Sequence, residues 1–323
     1  MTTAPSSSPR ALDGRDHHRR GVLLAAASAA GFGLMAIFAN EAYDAGVDVP
    51  SLLTLRFAIA AVLFWAIVLV RRPAIPAGRD AVLAVALGAV GYAAQAACFF
   101  AALTYLDASL VALLLYVHPT LVFAGAVLLG RDAWDAVRLA ALAAALTGAA
   151  LVLLGGGDAG GDLAPAGVAL GLGAALAYTG YILVADRAVA RLDPFAVAAM
   201  LTTGATATFA IAGGGLPEVG AEAAAWTTAI ALVGTVGAVS CFFLALRDVG
   251  PATASIVSTL EPVVTVALAV AVLGESLAPL QLAGGLLVVG SAIVVARVRP
   301  RGAPAPTGPA PAARQAEAGA PGR

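Results

Sequence analysis

Apolar residues in this chain come in runs of about twenty, separated by short polar breaks. The runs cover residues 21–40, 51–70, 81–103, 108–129, 137–154, 166–185, 194–213, 226–246, 252–273 and 278–296. About twenty apolar residues are needed for a helix to cross a bilayer, so each run predicts one transmembrane helix. The expected fold is an all-α membrane protein of ten transmembrane helices. Residues 1–20 read as a polar N-terminal tail holding Arg10, Arg15, Arg19 and Arg20. Arg19 and Arg20 ahead of an apolar run also fit a signal peptide, but the topology below requires that the run be retained. Residues 298–323 are rich in Pro, Ala and Gly, with too few large apolar side chains to offset ordering entropy, and predict a disordered tail.

The arginines give these helices a direction. With the N-terminus inside, the inner loops carry Arg71, Arg72 and Arg79, then Arg131 and Arg138, then Arg187 and Arg191, then Arg247, and the tail carries Arg297, Arg299 and Arg301. The outer loops hold acids such as Asp48, Asp107, Asp158, Asp162, Glu218 and Glu275, and no arginine. Basic residues in short loops stay on the cytoplasmic side, so both termini are expected in the cytoplasm and the chain in the cell inner (plasma) membrane.

Composition agrees with lipid as the solvent. The 323 residues are 61% hydrophobic and 11% charged, with a mean hydropathy of +0.93, where soluble domains carry roughly 25% charged residues. A net charge of -1 and the absence of a basic patch give no purchase for nucleic acid. The two cysteines, Cys98 and Cys241, lie inside apolar runs and read as packing residues. Two of the three histidines stand in the N-terminal tail, which argues against a His-rich metal centre. No nucleophile elbow, HExxH helix or nucleotide-binding loop is present. An enzyme, an ATP-driven pump and a cofactor-dependent protein are therefore not expected.

The chain also repeats itself at an offset of 143 residues. Cys98-Phe99-Phe100-Ala101-Ala102-Leu103 returns as Cys241-Phe242-Phe243-Leu244-Ala245-Leu246, Gly91 maps on Gly234, His118 on Glu261 and Pro119 on Pro262. The units are residues 21–154 and 166–297. Five spans in each means that the second copy enters the membrane from the opposite side, and the loop charges flip accordingly. Inverted five-helix repeats belong to secondary transporters, whose halves rock about a site near the midplane.

These residues resemble EamA-type transporters of the drug/metabolite transporter superfamily. The resemblance rests on an apolar helix that opens with small residues, carries a mid-helix proline and ends in Gly-Glu, here Ala252 to Ser255, Glu261-Pro262 and Gly274-Glu275. The first copy reads Asp107-Ala108-Ser109, His118-Pro119 and Gly130-Arg131, with the acid displaced to Asp132. The resemblance implies a gradient-linked carrier, often an exporter of amino acids, related metabolites or drugs, with a central cavity between the halves. A facilitator or importer of a sugar or drug-like cation, or a non-transporting membrane subunit, is the alternative. A small-molecule substrate and the bilayer are the expected partners, and a homodimer stays open.

Three ionisable residues lie well within spans, Arg56, His118 and Glu261, where a charge costs roughly 2.5–3.5 kcal/mol on insertion scales. Glu261 sits mid-span, and a carboxyl that is costly to ionise there suits a proton carrier; a structural Glu bonded to a neighbouring helix is the alternative. Pro262 cannot donate to the carbonyl of Ser258, and Pro119 likewise frees that of Leu115, so both prolines predict helix kinks beside polar atoms in need of partners. His118 and Glu261 can pair across the cavity and share a proton, or His118 can be structural. Arg56 can bind a carboxylate or snorkel outward. Phe32, Tyr92, Gln95, Tyr116, Tyr178 and Tyr181 are candidate cavity residues, with Ser255, Ser258 and Thr259 adding hydroxyls. Tyr178 and Tyr181, three apart, share one helix face. Trp134 and Trp226 read as anchors at span ends, and Gly167 with Gly171 as a packing pair.

Overall fold

The computed structural model describes residues 9–130, 136–155, 164–188, 192–213, 215–258 and 260–297. Thr259, the Arg131, Asp132, Trp134, Asp158, Asp162 and Arg191 loop positions, and the 298–323 tail lie outside the described residues. Every regular element among the described residues is helical. In chain order these are α1 (Pro9–Asp44), α2 (Val49–Arg71) and α3 (Gly78–Ala102), whose Leu87–Tyr92 stretch is π-helical. Next come α4 (Ala108–Leu128, interrupted after Leu115), α5 (Ala136–Gly155), α6 (Pro165–Ala188) and α7 (Pro194–Gly213). The last three are α8, built of Ala221–Ala229, a π-helical Ile230–Gly237 and Ala238–Ser258, then α9 (Leu260–Leu273) and α10 (Pro279–Arg297).

Among the described residues seven stretches are long and apolar enough to cross a membrane: His17–Asp44, Val49–Arg71, Gly78–Ala102, Ala108–Leu128, Pro165–Ala185, Pro194–Gly213 and Ala221–Val249. Shorter apolar helices cover Leu139–Gly148, Leu260–Leu273 and Pro279–Ser291, where the sequence places its fifth, ninth and tenth runs.

Two boundaries differ from the sequence reading. Helix α1 begins at Pro9 rather than near Gly21, because proline suits a first helical turn and no second proline follows it before the apolar run, the lone Gly14 being too small a penalty to stop the helix. The expected break at residues 247–251 is absent, and the chain stays helical through Ser258. A lone Pro251 removes one donor, too little to stop a helix that its neighbours continue.

Local chemistry sets several ends. At the start of α2 an Asp48 carboxylate oxygen accepts from the Ser51 amide at 2.8 Å, with Pro50 in the first turn. Asp193 opens α7 in the same way, accepting from the amides of Phe195 at 3.0 Å and Ala196 at 3.1 Å. These carboxylates satisfy amides that have no intrahelical acceptor. Arg72 then closes α2 in the left-handed region, at φ 50°, its N–H on the Val68 carbonyl.

The helices pack in pairs that survive exchange of the two repeats. Helix α1 lies on α8 and α3 on α6; α2 lies on α7 and α5 on α10; α4 meets α9. Renaming α1–α5 as α6–α10 and the reverse turns this set of pairs into itself, as a pseudo-two-fold axis demands. The π-helical stretch in α3, starting at Leu87, recurs in α8 at Ile230, 143 residues on. A π-turn shifts the hydrogen-bond register and leaves backbone groups to be satisfied elsewhere; in α3 the Ala89 carbonyl accepts from the Thr208 hydroxyl of α7 at 2.7 Å. Backbones meet at this crossing because Gly88 faces Leu201 and Gly204 faces Val85 and Ala89, leaving no room for a Cβ on either glycine.

Candidate functional site

The prolines mark the site. Helix α4 stops at Leu115, turns through Tyr116 and Val117, and restarts at His118 with Pro119 in its first turn. In the second copy the described helix reaches Ser258 and is described again from Leu260, with Pro262 at the position equivalent to Pro119. Both carbonyls that the prolines free have partners. The Leu115 carbonyl lies 3.0 Å from His118 Nδ1; a carbonyl only accepts, so Nδ1 carries the hydrogen and Nε2 is left for other chemistry. The Ser258 carbonyl accepts from the Tyr116 hydroxyl at 2.5 Å, so a residue of the first repeat satisfies the carbonyl that Pro262 frees in the second. The Ser258 hydroxyl donates back to the Ala254 carbonyl at 3.0 Å, and is used within its own helix.

From the α4 break a row of rings runs through the protein. Tyr116 meets His118 edge-on at 5.7 Å between centroids, His118 lies 4.5 Å from Tyr178, Tyr178 stacks on Tyr181 at 6.1 Å, and Tyr181 on Tyr92 at 6.0 Å. Tyr92 meets Phe57 edge-on at 5.2 Å. Tyr178 and Tyr181 share the face that their spacing predicts. Gly91 makes room for Tyr181: a Cβ there would lie 3.1 Å from the ring. Glu261 stands at the other end of the row, within electrostatic range of Tyr116 and Tyr178. No hydrogen bond joins His118 to Glu261 among the described residues. Gln95 is half-buried on the helix that carries Tyr92, one turn on, and Phe32 is half-buried on α1.

Arg56 closes the far end of the row. Its side chain does not snorkel; the residue is 2% exposed. The Nε–H donates to Thr235 Oγ1 at 3.0 Å, and Nη2 donates to the Tyr92 hydroxyl at 3.4 Å. The guanidinium carbon lies 4.8 Å from the ring centroids of both Phe57 and Phe100, the geometry of a cation–π contact. Thr235 donates its own hydrogen to the Ile230 carbonyl at 3.2 Å, five residues back in the π-helical stretch, which frees its lone pairs for Arg56. Thr235 is absent from the sequence-derived candidates. The signal was available, since Tyr92 plus 143 is Thr235, so Arg56 is held by the same position of both repeats.

Glu275, the acid of the Gly-Glu ending, also has a role that the sequence did not supply. Its carboxylate reaches from the end of α9 to the start of α4, accepting from the amides of Ala108 at 2.8 Å and Ser109 at 3.1 Å. The local N-cap residue, Asp107, makes no side-chain cap bond of its own. A separate cavity of about 200 Å³, lined by Val47, Asp48, Glu218 and their neighbours, lies between the α1–α2 turn and the start of α8, away from the ring row. Among the described residues no group of three or more His, Cys, Asp or Glu side chains is arranged to hold a metal ion.

A model of the EamA-like transporter family matches residues 19–154 and again residues 165–297. The chain belongs to the EamA-like transporter family. No curated protein matches it. A protein of known crystal structure is 21% identical, with a TM-score of 0.60, over 85% of this chain and 97% of its own; at that identity the likeness concerns the fold. Membership makes this a multi-pass membrane protein of the drug/metabolite transporter superfamily, with a small-molecule substrate and a lipid environment. In this EamA chain the interrupted α4 and the ring row fall between the two matched units: Tyr116 of the first reaches Ser258 of the second, and Arg56 reaches Thr235.

Proposed function

We propose that this EamA-family protein is a gradient-driven exporter of amino acids or related small organic metabolites. On this reading ten helices cross the inner (plasma) membrane as two inverted five-helix repeats with both termini cytoplasmic, and alternating access exposes a midplane site between them. The observation that carries the proposal is the interruption of α4 at Tyr116 and Val117, just before His118-Pro119, on a helix that meets α9, where Glu261-Pro262 holds the same position 143 residues on. Broken helices at the repeat interface are where secondary transporters bind substrate and coupling ion.

Glu261 supplies the coupling. A carboxyl near the middle of a helix takes either a proton or the ammonium group of a substrate, and not both at once. That exclusion makes inward proton movement drive an amine-bearing substrate outward. Tyr116 and Tyr178 line the approach with hydroxyls, and the rings from His118 to Tyr92 give the organic part of the substrate apolar faces.

The test is proton flux into proteoliposomes loaded with a pH-sensitive dye and challenged with a panel of amino acids and organic cations. At least one amino acid is expected to move protons through the natural protein, and Glu261→Gln is expected to abolish that movement. Equal passage of labelled compound through both proteins, without proton movement, would return Glu261 to a structural role and make the chain a facilitator.

A further inference from the structure

Among the described residues Arg56 is a permanent cation buried without a counter-charge. Only 2% of the residue is exposed, and its two hydrogen-bond partners among the described residues, Thr235 and Tyr92, are neutral hydroxyls. A guanidinium has five N–H donors in a planar fork, so these two contacts use a minority of them. Burying an ion is sustained when a partner charge arrives with good geometry, and is otherwise a standing penalty on the fold. The rings of Phe57 and Phe100 offset part of that penalty. They cannot act as hydrogen-bond acceptors in the plane of the fork.

The two hydroxyls are not equivalent. Thr235 is fixed by its own bond to Ile230 and holds Nε at 3.0 Å. Tyr92 sits at 3.4 Å, beyond the usual range for a good N–H to O bond. It is half-buried and is also the last ring of the stacked tyrosines. A ligand moving along that row therefore meets Tyr92 first, and displacing it uncovers the Nη end of the fork while Thr235 keeps the guanidinium oriented. Bidentate pairing with a planar carboxylate is what a fork held in this way does best.

We infer that Arg56 is a carboxylate-binding site, taking the acid end of a zwitterionic or anionic organic substrate in place of Tyr92. This rests on the transport reading above and adds to it the acid group as a required feature of the substrate. The site needs no proton movement, so the two readings can fail separately.

The experiment is thermal stabilisation of the purified full-length protein in detergent by each proteinogenic amino acid and by its amide, which differ in the carboxylate alone. At least one acid is expected to stabilise the natural protein at a concentration roughly 10- to 100-fold below that of its amide, the range for hydrogen bonds to a charged group. Arg56→Gln should erase the difference, and Arg56→Lys, which keeps the charge and loses the fork, should shrink it. Thr235→Val, a positioning change that leaves Arg56 in place, should also shrink it, and covers the case in which Arg56→Gln does not fold. A panel in which no acid outperforms its amide overturns the site. So does a preference that passes unchanged through Arg56→Lys and Thr235→Val. Because dye-reported proton flux plays no part in this assay, a negative Glu261→Gln result leaves its outcome unaffected.

Discussion

Removing the Tyr116 hydroxyl tests how the carbonyl freed by Pro262 is satisfied. Tyr116→Phe keeps the ring, and with it the edge-on contact to His118, and deletes only the donor that reaches the Ser258 carbonyl at 2.5 Å. That carbonyl lacks its usual i+4 donor because residue 262 is proline. Leaving a buried acceptor unpaired costs about 1–3 kcal/mol in soluble proteins, and interhelical hydrogen bonds in membrane proteins average about 0.6 and reach about 1.7 kcal/mol. A loss near 1 kcal/mol is therefore expected. Pro262→Ala restores an N–H that can serve the same carbonyl, so in that background Tyr116→Phe should cost close to nothing. The measurement is a double-mutant cycle read by unfolding in mixed detergent micelles, with an expected coupling of about 1 kcal/mol. An equal cost of Tyr116→Phe in both backgrounds would refute the argument, since the hydroxyl would then be serving something other than the carbonyl freed by the proline.

Two further outcomes follow from packing and capping. Glu275→Ala removes the acceptor for the Ala108 and Ser109 amides and should cost about 1–2 kcal/mol, visible as faster hydrogen exchange at the start of α4; unchanged exchange there would mean that Asp107 caps the helix instead. Gly88→Ala and Gly204→Ala drive a methyl into the facing backbone and should each lose about 1–3 kcal/mol, whereas Gly180→Ala meets nothing within 4 Å and should gain up to about 1 kcal/mol from helix propensity. Similar responses at all three glycines would contradict the packing argument.

What the sequence revealed and what it hid divide along physical lines. Run length and spacing are local properties, so helices appear wherever runs of about twenty apolar residues occur. The prolines were legible for the same reason: a missing N–H is certain from the residue type, and both freed carbonyls turned out to hold partners. Which partners was not legible, because Tyr116 and Ser258 are 142 residues apart and meet only after the halves have docked. Arg56 is the clearest case. Position near a span end is compatible with snorkelling, and the observed burial depends on Thr235, 179 residues away. The extension of α8 through Pro251 was missed for the opposite reason, since proline and the neighbouring Arg247 and Asp248 are read locally as a break while the helix continues past them.

The two repeats share a packing scheme but differ in shape at one junction. Between α3 and α4 the chain leaves the helix at Leu103–Asp107 and restarts under the Glu275 carboxylate. At the equivalent place in the second repeat, around Pro251, it stays helical. On the proposed mechanism this difference has a use, because inverted repeats alternate access by exchanging two conformations between the halves. Glu275 spans the halves at the bent junction, so its bonds must open for the exchange to proceed. Two hydrogen bonds to a carboxylate contribute roughly 1.5–3 kcal/mol each at most, comparable to the few kcal/mol that separate interconverting states. On that mechanism a contact of that size would bias the protein toward one state without locking it there, which a purely apolar seal over the same helix start could not do without leaving the amides of Ala108 and Ser109 unsatisfied.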